Sequence, residues 1–207
     1  MARKYQLKRR AERQEETRRR IALAAMALHE SVGPAQTTIS AIAERAGVQR
    51  LTVYRHFPDE ASLFRACSER YFTAHPLPDP GGWAGIEDPV ERLETALRQL
   101  YAYYRSTEAM TLNVLRDLPA KPELAESVGA MEQALAGMRR MLCVGWDAPD
   151  GMRAVLEGAV GHALDFSTWY SLARRQGMAD AGAVRLMVTM VTCVAADQGS
   201  EGGPPSA

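Results

Sequence analysis

The stretch TTISAIAERAGVQRLTVYRHF, residues 37–57, decides the fold. Ile39, Ile42, Ala43 and Ala46 recur at helical spacing behind Thr38, which stands where an N-cap belongs. Gly47 ends that short helix, and Val48 is an apolar plug at the turn. A second short helix is expected over residues 50–56, with Val53 and Phe57 turned inward. Two short helices about a tight Ala46-Gly47-Val48 turn are what a DNA-reading pair requires: one braces, the other enters the major groove. The outer face of the second helix offers Gln49, Arg50, Thr52, Tyr54, Arg55 and His56. Arginine can pair with guanine and glutamine with adenine, whereas Thr, Tyr and His suit phosphate oxygens.

Outward from this pair, a first helix is expected from Thr17 to Val32, carried by Ile21, Ala24, Ala25, Leu28 and Val32 and stopped by Gly33-Pro34. Residues 1–16 read as a flexible basic arm that follows phosphates or enters a minor groove. Pro58-Asp59 closes the second reading helix, and Asp59 can cap a fourth helix over residues 60–75 that buries Leu63, Phe64, Cys67 and Tyr71. Residues 17–75 therefore form one domain. Residues 76–89, rich in proline and glycine, form a linker that Trp83 and Ile86 can pin to the body.

Residues 90–197 read as helices only: one through Val90, Leu93, Leu97, Leu100 and Tyr104; a shorter one from Glu108 to Leu118; one from Leu124 to Leu142; a long one from Asp150 to Gln176; and a last one from Ala179 to Ala196. The tail 198–207 is expected to be disordered. The fold class is all-α.

The chain's net charge of zero conceals an asymmetry: residues 1–75 carry +6 and residues 76–207 carry −6. A basic front half suits a polyanion partner. Cys67, Cys143 and Cys193 fit neither a disulfide framework nor a zinc spacing and read as buried apolar residues in a reducing compartment. Neither a signal peptide nor an apolar run long enough for a membrane span is expected, which places the protein in the cytoplasm. No Ser-His-Asp order, phosphate loop or nucleotide fingerprint appears, so no catalytic residue, metal or cofactor is assigned.

The pattern T-x-x-x-I-A-x-x-A-G-V-x-x-x-T-V-Y-x-H-F, followed by a short turn and A-x-L-F, resembles the DNA-binding domain of the tetracycline-repressor (TetR) family across about residues 17–72. The resemblance implies an all-helical homodimer with a three-helix DNA-binding domain, a connecting fourth helix, and a remainder that binds a small molecule and dimerises. Thr38, Thr52, Tyr54 and His56 would then meet phosphates, and Gln49, Arg50 and Arg55 would read bases. Two positions depart from the family's habit: Glu60 where Lys is frequent, and Gln49 where Ser is frequent. Glu60 would repel the DNA backbone, and the basic arm would then take over part of that binding.

In the back half, the last two helices suit a homodimer interface, with Gly158 and Gly161 allowing close helix approach. Residues 179–196 are apolar on two faces, Ala183, Met187, Met190 and Val194 on one and Val184, Val188 and Val191 on the other. An effector pocket among the middle helices would draw on Tyr101, Tyr104, Met110, Asn113, Arg116, Trp146, His162, Asp165, Phe166 and Trp169. His162 and Asp165, at i and i+3, would share a hydrogen bond. The reading is a repressor released from double-stranded operator DNA by an unidentified small molecule. A constitutive DNA binder, an activator, and a carrier or enzyme with a helix-turn-helix remain open alternatives.

Overall fold

A computed structural model describes residues 2–197, and the expected tail 198–207 lies outside them. Among the described residues the chain is all-helical, with nine α-helices joined by short 3₁₀ and π turns. It divides into two compact units. The first comprises the described part of Met1–Pro76 together with Thr107–Ala130; the second comprises Leu77–Ser106 and the described part of Met131–Ala207. Residues 107–130 therefore group with the N-terminal helices, a grouping that linear boundaries at 75 and 90 do not anticipate.

In the first unit, α1 (Ala2–Ser31) is one continuous helix. It begins well before the expected start at Thr17 and runs through residues 2–16, where a flexible arm is expected from sequence. Residues 5–16 contain strong helix formers and neither Gly nor Pro. Lys8 pairs with Glu12 at 4.0 Å and Glu16 with Arg19 at 2.8 Å, each one turn apart. Gly33, at φ +99°, turns the chain after α1.

Helices α2 (Ile39–Ala46), α3 (Arg50–His56) and α4 (Glu60–Ala74) follow with the expected boundaries. The Thr38 side chain accepts from the Ala41 N–H at 3.1 Å, and Asp59 Oδ1 accepts from the Ser62 N–H at 2.7 Å. Between α2 and α3 the chain makes a Schellman turn. Gly47 sits in the left-handed region at φ +63°, its N–H bonds to Glu44 O at 3.0 Å, and the Val48 N–H bonds to Ala43 O at 2.9 Å.

The core of this unit joins Ile21, Ala22 and Ala25 of α1 to Ile42, Ala43 and Ala46 of α2, Val53 and Phe57 about α3, and Leu63 and Cys67 of α4. Alanine dominates the contact face of α1 and α2, so the helices pack closely, and the larger Ile, Leu and Phe side chains fill the spaces that remain.

Helix α5 (Pro89–Asp117) contributes to both units. Two helices, ending near Tyr104 and beginning near Glu108, were expected here. The intervening Arg105-Ser106-Thr107 contains neither Gly nor Pro, so nothing in it stops the helix, and Ser106 Oγ bonds back to Tyr103 O at 2.8 Å within it. Helix α6 (Ala125–Leu142) ends the shared part.

In the second unit the 76–89 segment is ordered by Trp83, which is fully buried and donates its indole N–H to Gln99 Oε1 at 3.0 Å. The long helix expected over 150–176 is three pieces: α7 (Arg153–Leu164), α8 (Phe166–Tyr170) and a π turn over Ser171–Arg175. Asp165 causes the break. Its backbone is extended, and its carboxylate accepts from the Ser167 N–H at 2.6 Å, which caps α8. The last helix, α9 (Asp180–Ala196), packs on α7. Ala183, Val184, Met187 and Val191 are buried, Val188, Met190 and Val194 half-buried. Cys193, expected inside, is exposed.

Candidate nucleic-acid interface

Helix α3 is held by its two inward residues and by two arginines of α1. Val53 is fully buried and Phe57 nearly so. Arg18 Nη1 donates to His56 O at 2.7 Å, and its guanidinium lies 4.3 Å from the Phe57 ring centroid. Arg20 Nη2 donates to Gly47 O at 3.2 Å and also to Ala46 O. Both arginines thus sit on the last carbonyls of α2 and α3, where helix termini carry partial negative charge and unsatisfied acceptors. They fix the angle between the two helices without occupying the outer face.

That outer face is open. Gln49, Arg50, Tyr54 and Arg55 are exposed, Thr52 and His56 half-buried, and Thr38 exposed at the start of α2. The seven residues nominated from sequence are thus all at least partly open to solvent. Burial, then Arg55 and Arg18, lower the His56 pKa, so its imidazole is neutral near pH 7. Sequence reasoning missed Leu51, which is 76% exposed at the centre of this face. Its apolar character led away from it. The available signal was its spacing, since Leu51 falls between the inward positions occupied by Val48 and Val53.

Glu60 was expected to repel a DNA backbone. It is instead paired with Lys121, whose Nζ lies 2.6 Å from Glu60 Oε2. The carboxylate is therefore not bare, a contact that sequence alone could not supply.

The ten residues nominated for an effector pocket fall in both units. Met110, Asn113 and Arg116 belong to the first unit. Met110 is buried there. Asn113 Nδ2 donates to His29 O and Glu30 O at 3.1 and 2.8 Å, and Arg116 Nη2 donates to Val32 O at 2.9 Å. These side chains cap the C-terminal carbonyls of α1.

The other seven lie in the second unit. Tyr101 and Tyr104 donate to Ala163 O and Leu164 O at 3.0 and 2.6 Å, the carbonyls that the end of α7 leaves without helical partners. Phe166 and Trp169 pack against Tyr104 at 5.3 and 6.0 Å between ring centroids, and the Trp169 indole donates to Asp180 Oδ1 at 3.1 Å. His162 pairs with Thr168 Oγ1 at 3.1 Å; the bond expected with Asp165 is replaced by the Asp165 cap, because the helix ends between them. Trp146 donates to Leu142 O at 2.8 Å and lines an open cavity of about 530 Å³ with Arg139, Arg140 and Arg153. Gly161 gives room to Arg139, whose Cδ would lie 3.2 Å from an added Cβ; Gly158 faces open space.

Among the described residues, no group of three or more His, Cys, Asp and Glu is placed to hold a metal ion, and no helix is long and apolar enough to cross a membrane.

Residues 21–67 match the family model described as bacterial regulatory proteins, tetR family. No curated protein matches the chain in sequence. Among solved structures, a Clostridium perfringens protein named for regulation of fatty acid metabolism aligns with a TM-score of 0.60 at 18% identity, covering 84% of this chain and 97% of its own. A Syntrophomonas wolfei protein named as a TetR-family transcriptional regulator aligns at 0.61 and 14% identity, covering 90% and 98%. NalD of Pseudomonas aeruginosa, named as the secondary repressor of the MexAB-OprM multidrug efflux pump, aligns at 0.51 and 22% identity, covering 88% and 97%.

Proposed function

We propose, from a helix-turn-helix segment that belongs to the tetR family of bacterial regulatory proteins, that this chain is a transcriptional repressor that a small-molecule effector releases from double-stranded operator DNA. Its coarser role as a DNA-binding regulator follows from that family and fold. One observation carries the rest. The α3 helix is anchored through Val53, Phe57 and the α1 arginine Arg18, and it leaves Gln49, Arg50, Tyr54 and Arg55, together with the apolar Leu51, exposed to solvent, a density of free donors that no packing role requires. In this reading Arg50, Gln49 and Arg55 meet base edges. Thr38, Thr52, Tyr54 and His56 meet phosphates.

Two copies joined through their last two helices would set two α3 helices in successive major grooves. The exposed Val155 and Leu186, on α7 and α9, support a partner on this side. The effector belongs to the second unit, where the break at Asp165 and the π turn after Tyr170 give α7–α9 an irregular, adaptable segment. An effector that binds better to a conformation unfit for DNA lowers operator affinity by that difference in affinity. The protein acts as a regulator and not as an enzyme. A constitutive DNA binder is the second reading. It draws support from the filled Tyr101–Tyr104–Phe166–Trp169 cluster, whose hydroxyl and indole groups are already bonded.

Selection of bound duplexes from random DNA by the purified protein tests the main reading. A two-fold symmetric consensus is expected, and the absence of any sequence preference overturns it. Titration of small molecules against operator affinity separates the two readings: a molecule that lowers affinity favours the repressor, and persistent indifference favours the constitutive binder.

A further inference from the structure

The N-terminal half of α1 does more than extend a helix. Between it and the C-terminal end of α3 lies an open groove of about 720 Å³. One wall carries Arg9, Arg10 and Arg13; the other carries Arg55 and His56. The remaining lining residues, Tyr5 among them, are uncharged, and none of the described lining residues is a carboxylate. The α1 residues that line it recur at helical spacing from Tyr5 to Thr17, about 18 Å of helix at ~1.5 Å per residue. The acidic residues in the N-terminal half of this helix each have a cation nearby: Glu12 has Lys8 at 4.0 Å, Glu15 has Arg70 at 3.6 Å and Glu16 has Arg19 at 2.8 Å.

We propose that this groove is a clamp for the sugar-phosphate backbone of the duplex that α3 reads, with Arg9, Arg10 and Arg13 as its cationic wall. A helix seated in a major groove has a phosphate strand beyond its end, and the groove opens at the end marked by Arg55 and His56. The chemistry fits a polyanion: guanidinium groups pair with phosphate oxygens, and uncharged donors complete the bonding. A helical wall, unlike a flexible arm, is ordered before binding and loses less entropy on contact. Such contacts carry no sequence information and act through charge. The inference rests on the reading of α3 as a DNA-recognition helix.

The test uses the full chain and the duplex chosen by selection from random DNA. Dissociation constants are measured across a salt series for the wild type, for Arg9→Gln/Arg10→Gln/Arg13→Gln, and for the matching triple Lys variant. Glutamine keeps helix propensity close to that of arginine. The Gln variant is expected to select the same consensus while the slope of log K against log salt falls by about 2.7, from three contacts at ~0.9 each. The Lys variant is expected to keep the wild-type slope. Hydroxyl-radical footprinting of the wild type should show protection running outward past each half-site. An unchanged slope in the Gln variant, an equal loss in the Lys variant, or protection confined to the half-sites overturns the clamp. Failure of the wild type to select any consensus instead overturns the reading of α3, so the two failures are distinct.

Discussion

Lys121 reaches across the first unit to place its ammonium 2.6 Å from the Glu60 carboxylate, at the first residue of α4. The pair holds a negative charge in check at the start of α4, shortly after α3 ends. Both side chains are partly exposed, so the pair itself adds less than about 1 kcal/mol of stability. Its consequence is electrostatic. Lys121→Gln is expected to weaken DNA binding several-fold with little change in unfolding midpoint, and Glu60→Gln in that background to restore affinity. A double-mutant cycle read by both binding and urea denaturation checks this; additive effects on binding would contradict it.

Leu51 is expected to contribute to base choice. A large apolar side chain in open solvent on a reading helix suits the methyl group of thymine. Leu51→Ala should leave stability within about 0.5 kcal/mol, as an exposed substitution does. The selected consensus should relax at one position per half-site. Arg50→Ala, by contrast, should cost about 1–3 kcal/mol of specific binding. Repeating the selection with each variant reads both outcomes.

Arg18 links α1 to the end of α3 through His56 O and the Phe57 ring. A charged hydrogen bond is worth about 1.5–3 kcal/mol and an exposed cation–π contact roughly 0.5–1. Arg18→Met keeps the aliphatic stem and removes both, so a loss of about 2–4 kcal/mol in urea denaturation is expected. DNA affinity should fall as well, since α3 loses a fixed orientation. Unchanged stability would contradict the capping role.

Gly33 lies at φ +99°, and an added Cβ would meet Arg116 Nη2 at 2.0 Å and Asp117 Oδ2 at 2.5 Å. Asp117 Oδ2 accepts from the Ala35 N–H at 2.9 Å, so that carboxylate has little room to move. Gly33→Ala is expected to cost more than the ~1 kcal/mol of a strained backbone alone. Thermal unfolding measures it, and Arg116→Ala in the same background should recover only the part due to the guanidinium.

His29 gives the fold a pH dependence. It is buried against Phe64, with ring centroids 5.0 Å apart, and burial, followed by the nearby Lys121, lowers its pKa to about 4 while Asp117 and Glu60 oppose the shift. The unfolded chain binds this proton near pH 6.5 and the folded chain only near 4. Stability from this group is therefore complete above pH 6.5 and is lost as pH falls towards 4, by about 3 kcal/mol in all. His29→Phe should flatten urea-denaturation stability between pH 6.5 and 4; an equally steep profile would contradict the assignment.

Sequence alone determined the helix pair and its neighbours, because their signals are local. Thr38 caps α2 through Ala41, Asp59 caps α4 through Ser62, and Gly47 turns the chain beside its own bonding partners. Each partner lies within a few residues, so residue order suffices. The break at Asp165 was equally local and was hidden by continuous apolar spacing on either side. Only the tertiary structure decided the rest. Tyr101 and Tyr104 meet carbonyls 62 and 60 residues away, and Arg116 meets one 84 residues away. A polar side chain spaced like a pocket residue and one that caps a distant helix end look alike in sequence. Unsatisfied carbonyls take whichever donor the packing brings within reach, and that choice is made in three dimensions.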